Sequence, residues 1–328
     1  MRTTKSWPPY EIVEDSLVGQ AQERLDKLER LYHVGQNNIW DGKEVLAALI
    51  AKHGKPRLPD DKKESALKVL SVLLWGELAA WAISADLAER IDDIEAKMAA
   101  TSQAHDEARH FYVLRDYLRA LGEPVPRLGG LGRRLLRSIL ETPTLEHKLI
   151  GMQLMTESNA LAIFRGLGES RIEPVLAELL PYYEKDEARH VGLGVMYLPR
   201  LLSRQSRAQA ARTVAFQLRS IGLLMSAGLT MHEHFRRLGI DPRRMAQYTM
   251  KLQDEVTREM LSDARAATGG SARRRDAVRG LLNPAQGFGP RILDFIHPPA
   301  GVAAAPAWQR TALATWRRVA TAADRALA

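Results

Sequence analysis

Two identical five-residue strings carry the side chains whose types and spacing best suit chemistry. The string Asp-Glu-Ala-Arg-His occurs at 106–110 and again at 186–190, and a lone Glu precedes each copy by the same distance, since 107 − 77 = 30 and 187 − 157 = 30. Carboxylates and imidazoles that recur at matched spacing predict a metal site. Its six candidate ligands are Glu77, Glu107, His110, Glu157, Glu187 and His190.

Helix geometry explains how this spacing would bind metal. Residues three apart on an α-helix lie about 60° apart around the axis and ~4.5 Å apart along it, so the Glu and His of each string point the same way. If the chain reverses about fifteen residues after each lone Glu, the outgoing and returning helices have equal lengths. The lone Glu and the Glu of the following string then lie at the same level along the bundle axis. Four carboxylates and two imidazoles then converge, and this donor set suits two first-row ions, iron or manganese before zinc.

The first pair of ligand helices is predicted over residues 61–122. Asp61-Lys-Lys-Glu64 has the form of a capping box before a stretch with helical hydrophobic period. Asp92 lies midway between Glu77 and Glu107 and can cap a new helix, so a tight reversal is expected there. Gly122 should end the second helix.

The second pair is predicted after a crossover loop. Residues 123–130 are rich in Pro and Gly, and a third helix should start near Thr142 and run to about Gly166. Pro174 should start the fourth helix and Pro199 should limit it. Two hairpins with a long link predict an all-α fold, a four-helix bundle with additional helices at both ends.

An internal duplication supports the bundle. A shift of 80 positions aligns the two strings and also aligns Tyr117 with Tyr197 and Ile83 with Ile163. A single Glu-x-x-His is usually part of a solvated charged stretch, but such a stretch has no reason to preserve both offsets. We expect a pseudo-twofold bundle with a dinuclear site on its axis.

Further helices are predicted on both sides of the bundle. Helical patterning covers Ser16–Tyr32, Asp41–His53, Arg207–Leu238 and Asp241–Thr268, while Leu281–Trp308 is predicted to be an extended arm. Three parts are expected: N-terminal helices over 1–60, the dimetal bundle over 61–200, and basic C-terminal helices with the arm over 201–328.

On these residues the chain resembles the ferritin-like di-iron carboxylate proteins, and its doubled string resembles the signature of bacterial multicomponent monooxygenase hydroxylase subunits. The resemblance implies that the six candidates are the metal ligands, with Glu107 and Glu187, or one lone Glu, bridging the ions. It also implies that Asp186 accepts a hydrogen bond from His110, and Asp106 from His190. Arg109 and Arg189 would keep these aspartates ionised, and the alternative for both arginines is surface pairing with acidic neighbours.

The chain also departs from these relatives. The hydroxylase subunits have a Thr four residues after the third-helix Glu, where this chain has Leu161, and they are longer. The radical Tyr of ribonucleotide reductase small subunits corresponds to Leu114 here, which argues against a radical role. The cysteine count of zero excludes the cysteine-ligated iron module of rubrerythrins, and the length exceeds that of storage ferritins.

The activity expected from this resemblance is that of a non-haem dimetal oxidoreductase, with two Fe ions or an Mn/Fe pair as cofactor. It would use O₂ to oxidise a small organic substrate by hydroxylation, desaturation or N-oxygenation. Small residues near the ligands predict a cavity against the fourth helix, with Thr156 and Asn159 as its polar catalytic contacts. These small residues are Gly76 and Ala80 beside Glu77, and Gly192 and Gly194 after the second string. Ordinary small-residue helix packing is the alternative. A ferroxidase or metal-handling protein and a tRNA-modifying hydroxylase are the other functions considered.

Composition and charge bound the partners. Residues 201–328 hold 20 Lys+Arg and 9 Asp+Glu, a net charge of +11, so residues 1–200 carry −3 of the total of +8. No nucleic-acid motif accompanies the basic residues, such as Arg273–Arg275, so a solvated Arg-rich surface is favoured over a nucleic-acid site. Without Cys the chain cannot hold a thiolate cluster, so an external electron donor is expected. A cytoplasmic protein with no transmembrane segment is expected, and a homodimer is left open.

Overall fold

The computed structural model describes residues 22–267 and 289–328, and helices form nearly all of their regular structure. In chain order the helices are α1 (Gln22–Asn37), α2 (Gly42–His53), α3 (Lys63–Arg90), α4 (Ile94–Leu121), α5 (Gly130–Leu140), α6 (Leu145–Leu149), a π-helix (Ile150–Thr156), α7 (Glu157–Ser170), α8 (Pro174–Leu202), α9 (Arg207–Arg237), α10 (Pro242–Ala267), α11 (Gly289–Ile296), a short 3₁₀-helix (Val302–Ala304) and α12 (Ala307–Leu327). The all-α prediction is confirmed.

Helices α3 and α4 form the first hairpin, with the reversal at the predicted place. Asp93 is the N-cap residue of α4, in extended backbone. Gly122 ends α4 with φ of 80°, a left-handed conformation that glycine adopts without steric cost. The predicted capping box at Asp61 does not form, because the N-cap residue of α3 is Lys62 and no side chain caps that end.

The second hairpin pairs α8 with a continuous helix made of α6, the π-helix and α7. This third bundle helix runs beyond the predicted end at Gly166 and stops at Ser170, where Arg171 takes a left-handed conformation with φ of 47°. The carboxylate of Glu173 caps α8 by accepting from the backbone N–H of Val175 and Leu176. The prediction that Pro199 limits this helix is wrong, since α8 ends at Leu202 and the buried packing of its last turn outweighs one missing N–H.

The crossover between the hairpins contains a helix that the sequence analysis did not predict. Residues 123–129 form no helix, as expected, but α5 follows and packs against α12. Asp324 accepts a hydrogen bond from the N–H of Leu131 at 2.8 Å. A Cβ at Gly130 would lie 2.3 Å from the backbone oxygen of Asp324, so only glycine allows α12 to approach this closely.

Two apolar cores lie at opposite ends of the bundle. Along α3, Leu70 and Leu74 belong to one core and Ile83 and Leu87 to the other, with Glu77 between them. The order is the same along α8 and reversed along α4, and in both helices the string occupies the gap between the two cores. Apolar burial at both ends therefore fixes the helices around a polar middle layer.

The flanking helices follow the predictions in part. Helices α2, α9 and α10 lie where predicted, and Asp41 caps α2 by accepting from the N–H of Lys43 and Glu44. The described part of the predicted arm is not extended, since it contains α11 and the 3₁₀-helix. Residues 16–21, 281–288 and the Arg273–Arg275 cluster lie outside the described residues.

Two described helices, α3 and α9, are long and apolar enough to cross a membrane by length and composition alone. Core helices of soluble proteins pass the same test, and α3 carries Glu77 into the middle of the bundle. This is weak evidence for a membrane span.

Candidate metal centre

The structure brings all six candidate ligands to one point in the middle layer. Glu77 comes from α3, Glu107 and His110 from α4, Glu157 from the first residue of α7, and Glu187 and His190 from α8. They form two overlapping sets, each with ligand atoms within 4.8 Å of one another. The two sets are Glu77, Glu107, His110 and Glu187, and Glu107, Glu157, Glu187 and His190.

Two carboxylates belong to both sets. One carboxylate oxygen of Glu107 lies 3.5 Å from the Nδ1 atom of His110, and its other oxygen lies 2.9 Å from the Nδ1 atom of His190. The two oxygens of Glu187 lie 3.3 Å from the Nδ1 atom of His110 and 2.9 Å from that of His190, respectively. These are positions for bridging ligands, while Glu77 and Glu157 each contribute to one set only. This arrangement, a Glu from each of two helices and a Glu-x-x-His from each of the other two, is that of the ferritin-like dimetal carboxylate fold.

Charge and unsatisfied atoms test whether two cations fit. The six ligands are each at most 4% exposed. The four Glu ligands together with Asp106 and Asp186 carry −6, and Arg109 and Arg189 carry +2, so the site lacks four positive charges when both imidazoles are neutral. Two divalent ions supply that charge. One buried oxygen of Glu107 and one of Glu187 have no hydrogen-bond partner among the described residues, as expected of metal-facing acceptors.

Without metal, the pKa values of four of the ligands are shifted toward their protonated forms. Burial raises the pKa values of Glu77 and Glu157 well above the usual carboxyl value. Burial acts to lower the pKa of His110, but hydrogen bonds to the surrounding carboxylates, Asp186 first, raise it well above the usual value. The pKa of His190 is raised in the same way, chiefly by the charges of Glu107 and Glu187, against the effect of burial.

The aspartates of the two strings orient the imidazoles across the site. The Nε2 atom of His110 lies 3.1 Å from Asp186, and that of His190 lies 3.3 Å from Asp106. Each contact joins a histidine of one string to the aspartate of the other. A far-side carboxylate of this kind fixes which ring nitrogen faces the metal.

Both arginines of the strings bridge both aspartates. Arg109 contacts Asp106 at 2.6 Å and Asp186 at 2.8 Å, and Arg189 contacts each aspartate at 2.8 Å. Arg109 is 4% exposed, so the alternative of surface pairing is wrong for this residue, and only 11% of the Arg189 side chain is exposed. The positive charges and the imidazole hydrogen bonds overcome the effect of burial and lower the pKa values of both aspartates.

Two aromatic residues outside the predicted site complete this shell. The indole N–H of Trp40 donates to Asp186 at 2.8 Å, and Arg109 lies 4.9 Å from the centre of the indole ring. Tyr183 stacks on His110 with ring centroids 4.4 Å apart and donates its hydroxyl to the backbone oxygen of His110. No spacing rule points to Trp40, because it precedes α2 in a separate part of the chain.

Helical register could have found Tyr183 and its counterpart Gln103. Each lies four residues before the Glu of its string, on the same helix face, and the shift of 80 aligns them. The side-chain amide of Gln103 donates to Glu107 at 3.2 Å and to Glu157 at 3.4 Å. The π-helix ends just before Glu157, and its i→i+5 bond from the Glu157 N–H to Met152 sets the direction of that ligand.

A cavity of about 410 Å³ adjoins the cluster on one side. Of the six ligands, only Glu77 and Glu157 line it, together with mainly apolar residues of α3, α5, the π-helix, α7, α9 and α10. Thr156 and Asn159 also line it, as expected, although the hydroxyl of Thr156 donates to the Gly151 oxygen and the amide of Asn159 donates to the Met155 oxygen.

The predicted position of this cavity is wrong. A Cβ at Gly192 would lie 3.2 Å from Leu31, and one at Gly194 would lie 2.8 Å from Gln153. These glycines therefore allow α1 and the π-helix to pack closely on α8, and neither lines the cavity. The other small residues of the prediction, Gly76 and Ala80, do line the cavity, beside Glu77 on α3.

No family model and no curated protein matches the chain. Among solved structures, an R2-like ligand-binding oxidase mutant with an Mn/Fe cofactor is 16% identical, with a TM-score of 0.49 over 73% of this chain and 92% of that chain. A second mutant of the same description, with an Fe/Fe cofactor, is 15% identical, with a TM-score of 0.46 over 79% and 92%.

Proposed function

We propose that this protein is a non-haem dimetal oxidase or oxygenase that uses O₂ to oxidise a small organic molecule. The observation that carries the proposal is the pair of overlapping four-residue sets, which share Glu107 and Glu187 and adjoin a largely apolar cavity. Metal ligands next to an apolar cavity with a few polar groups are the usual arrangement of a redox site that acts on an organic substrate.

The donor set favours iron or manganese. Oxygen ligands dominate and two imidazoles complete the set, which suits an Fe/Fe or Mn/Fe pair better than structural zinc. When bound in its reduced state, such a pair would supply the redox chemistry that O₂ activation needs. Glu77 and His110 would hold one ion, Glu157 and His190 the other, and the two shared glutamates would bridge them.

Other residues of the chain would keep this geometry fixed. Asp106 and Asp186 hold the far nitrogens of the imidazoles, and the two arginines keep these aspartates ionised. Gln103 ties a bridging glutamate to Glu157. Because these contacts are buried, they are stronger than they would be in water and leave the ligands little freedom.

The cavity would bind the substrate beside Glu77 and Glu157. Its walls include Leu73, Leu135 and Met152, so an apolar part of the substrate would lie against them. The hydroxyl of Thr156 and one N–H of the Asn159 amide donate to the backbone. We therefore expect the side-chain oxygens of both residues to accept a polar hydrogen of the substrate, while the second N–H of Asn159 stays available to donate. Hydroxylation, desaturation and N-oxygenation are the reactions that suit such a molecule. An apolar lining favours an organic substrate over the hydrated ferrous ions of a ferroxidase.

The test is metal-dependent O₂ consumption by the full chain. Protein loaded with Fe(II), or with Fe(II) and Mn(II), should hold two ions per chain and consume O₂ once per reduction, with a charge-transfer absorption of the oxidised centre. A Glu187→Ala variant should lose both, while Glu169→Ala, at an exposed residue of α7, should retain them. Continued iron uptake with mineral formation would overturn the proposal in favour of metal storage, and binding of fewer than two ions would overturn the dimetal site.

A further inference from the structure

A basic groove lies on the far side of α5 from the substrate cavity. Its volume is about 790 Å³, and α5 and α9 form most of its walls. Five arginines line it and one carboxylate, Glu141, does so. The arginines are Arg133, Arg134, Arg137, Arg212 and Arg219.

Most of this positive charge is not neutralised within the described residues. Glu141 pairs with Arg137, and Arg133 donates to the backbone oxygen of Ala328. The other three arginines have no carboxylate partner in the part of the chain that the structure describes. Like charges gathered on two packed helices repel one another, and an anionic partner would remove that repulsion.

The groove also has an aromatic floor. The rings of His147 and Phe216 stack with centroids 4.5 Å apart and planes within 3°, and the guanidinium of Arg219 lies 6.0 Å from the Phe216 ring centre. Thr142 and Thr213 lie within hydrogen-bond distance of the two nitrogens of His147. An apolar centre with a charged rim is typical of transient protein interfaces, in which aromatic residues and Arg are enriched.

The groove is close to the candidate metal centre. His147 and Glu157 lie ten residues apart on the continuous third bundle helix, at most about 15 Å along its axis. Helix α5 also separates the groove from the substrate cavity, because Leu135 and Gly132 line the cavity while Arg133 and Arg134 line the groove.

From this arrangement we infer that the α5–α9 groove docks an acidic one-electron carrier protein, which bears an iron–sulfur cluster or a flavin. This inference rests on the proposed function, because a dimetal oxidase without Cys needs electrons from outside the chain. Each encounter oxidises the carrier by one electron, so two encounters supply the two electrons that a dimetal centre takes up.

The spread of the charges favours a protein over a small anion. Arg212 and Arg219 are seven residues apart on α9, about 10 Å along the helix. A single phosphate is held by donors that converge on it, whereas an acidic protein surface can pair with charges spread over this length.

The binding experiment needs no metal. The full chain, free of metal, is titrated with a [2Fe–2S] ferredoxin and, separately, with an FMN flavodoxin, at low and high salt. We expect binding that weakens as salt rises. The variant Arg134→Glu/Arg212→Glu/Arg219→Glu should weaken it at low salt by about tenfold or more.

A matched control keeps the same net charge. Arg57, Arg244 and Arg291 are exposed arginines outside the groove. Reversing all three to Glu should change the affinity by no more than about twofold, because only charges at the interface are strongly coupled to the partner. Stopped-flow reduction of the metal-loaded protein by the same carriers should follow the same order, while reduction by dithionite should be equal in all three proteins.

Several results would overturn the docking site. They are equal weakening by both triple variants, no salt-sensitive binding of either carrier to the wild-type chain, or tighter groove-dependent binding of tRNA than of the carriers. If groove-dependent carrier binding persists while the metal-loaded chain fails to consume O₂, the proposed oxidase function fails and the docking site stands.

Discussion

Loading the candidate centre with metal should release protons. The charges of the buried side chains around the centre indicate how many. The carboxylates and arginines of the site leave a charge of −4 around neutral imidazoles. Without metal, the directions of the pKa shifts place protons on His110 and His190 and favour them on Glu77 and Glu157. Two divalent ions replace these protons, so we expect a release of up to four per chain.

The sign of the pH dependence follows from the same shifts. Because the pKa values of these four groups are raised in the folded, metal-free protein, their contribution to its stability is greatest at low pH. That contribution should be lost as pH rises from the ordinary values of 4.5 for Glu and 6.5 for His through the raised ones. Metal affinity should change in the opposite direction and strengthen with pH. Each proton contributes ~1.36 kcal/mol per pH unit, so the release of four would strengthen the binding of the pair of ions by roughly 5.4 kcal/mol per pH unit.

Calorimetry can count these protons. Anaerobic titration with Mn(II) or Fe(II), in two buffers with different ionisation enthalpies, gives the number released near neutral pH. A Glu157→Gln variant should release about one proton fewer, since the amide takes no part in the exchange. The control Glu169→Gln should match the wild type, because Glu169 is exposed and pairs with Arg165. Release of one proton or none by the wild type would contradict the prediction that the two ions replace protons on these four ligands.

Three substitutions test the surroundings of the centre. Gly76→Leu should fill the cavity and lower substrate oxidation by about tenfold or more while both metal ions still bind, because a Cβ at Gly76 meets open space beside Glu77. Trp40→Phe removes the indole N–H from Asp186 and should weaken metal binding by about tenfold, measured by competition with a chelator. Glu173→Ala should lower the free energy of unfolding in urea by about 2–4 kcal/mol, since it removes the cap of α8 and the acceptor of a buried tyrosine hydroxyl.

Each substitution has a control of the same kind. Gly222→Leu also faces open space but lies outside the cavity, so it should leave substrate oxidation unchanged. Trp75→Phe loses an indole hydrogen bond to the Pro126 oxygen, away from the centre, and should affect stability without changing metal affinity. Glu169→Ala should change the unfolding free energy by less than about 0.5 kcal/mol. A control that matches its partner variant would contradict the corresponding prediction.

The ligands could be predicted from the sequence because one rule, helical periodicity, governs them all. Two strings and two lone glutamates at fixed offsets are enough to place six side chains in one layer, once the helices reverse near residue 92 and after Ser170. Local signals also placed the ends at Gly122 and the cap at Asp41, since both depend on neighbouring residues only.

Helical periodicity cannot predict contacts between segments that are distant in the sequence. Trp40 reaches Asp186 across 146 positions, and Asp324 caps α5 from the C-terminal helix, so neither contact leaves a periodic signal. The cavity was misplaced for the same reason. Whether a helix glycine leaves space or allows close packing depends on the facing element, and Leu31 and Gln153 fill the space at Gly192 and Gly194.

The surroundings break the symmetry that the ligands suggest. The ligands repeat by a shift of 80, yet Gln103 on one side corresponds to Tyr183 on the other, and only Glu77 and Glu157 face the cavity. Trp40, stacked near His110, and the paired arginines and aspartates cover the opposite side. On the proposed function, a substrate would approach from the side of Glu77 and Glu157. If the proposal is right, the lone glutamates are the ligands that change contacts when substrate binds, while the two bridging glutamates and the imidazoles, held by buried partners, keep their positions.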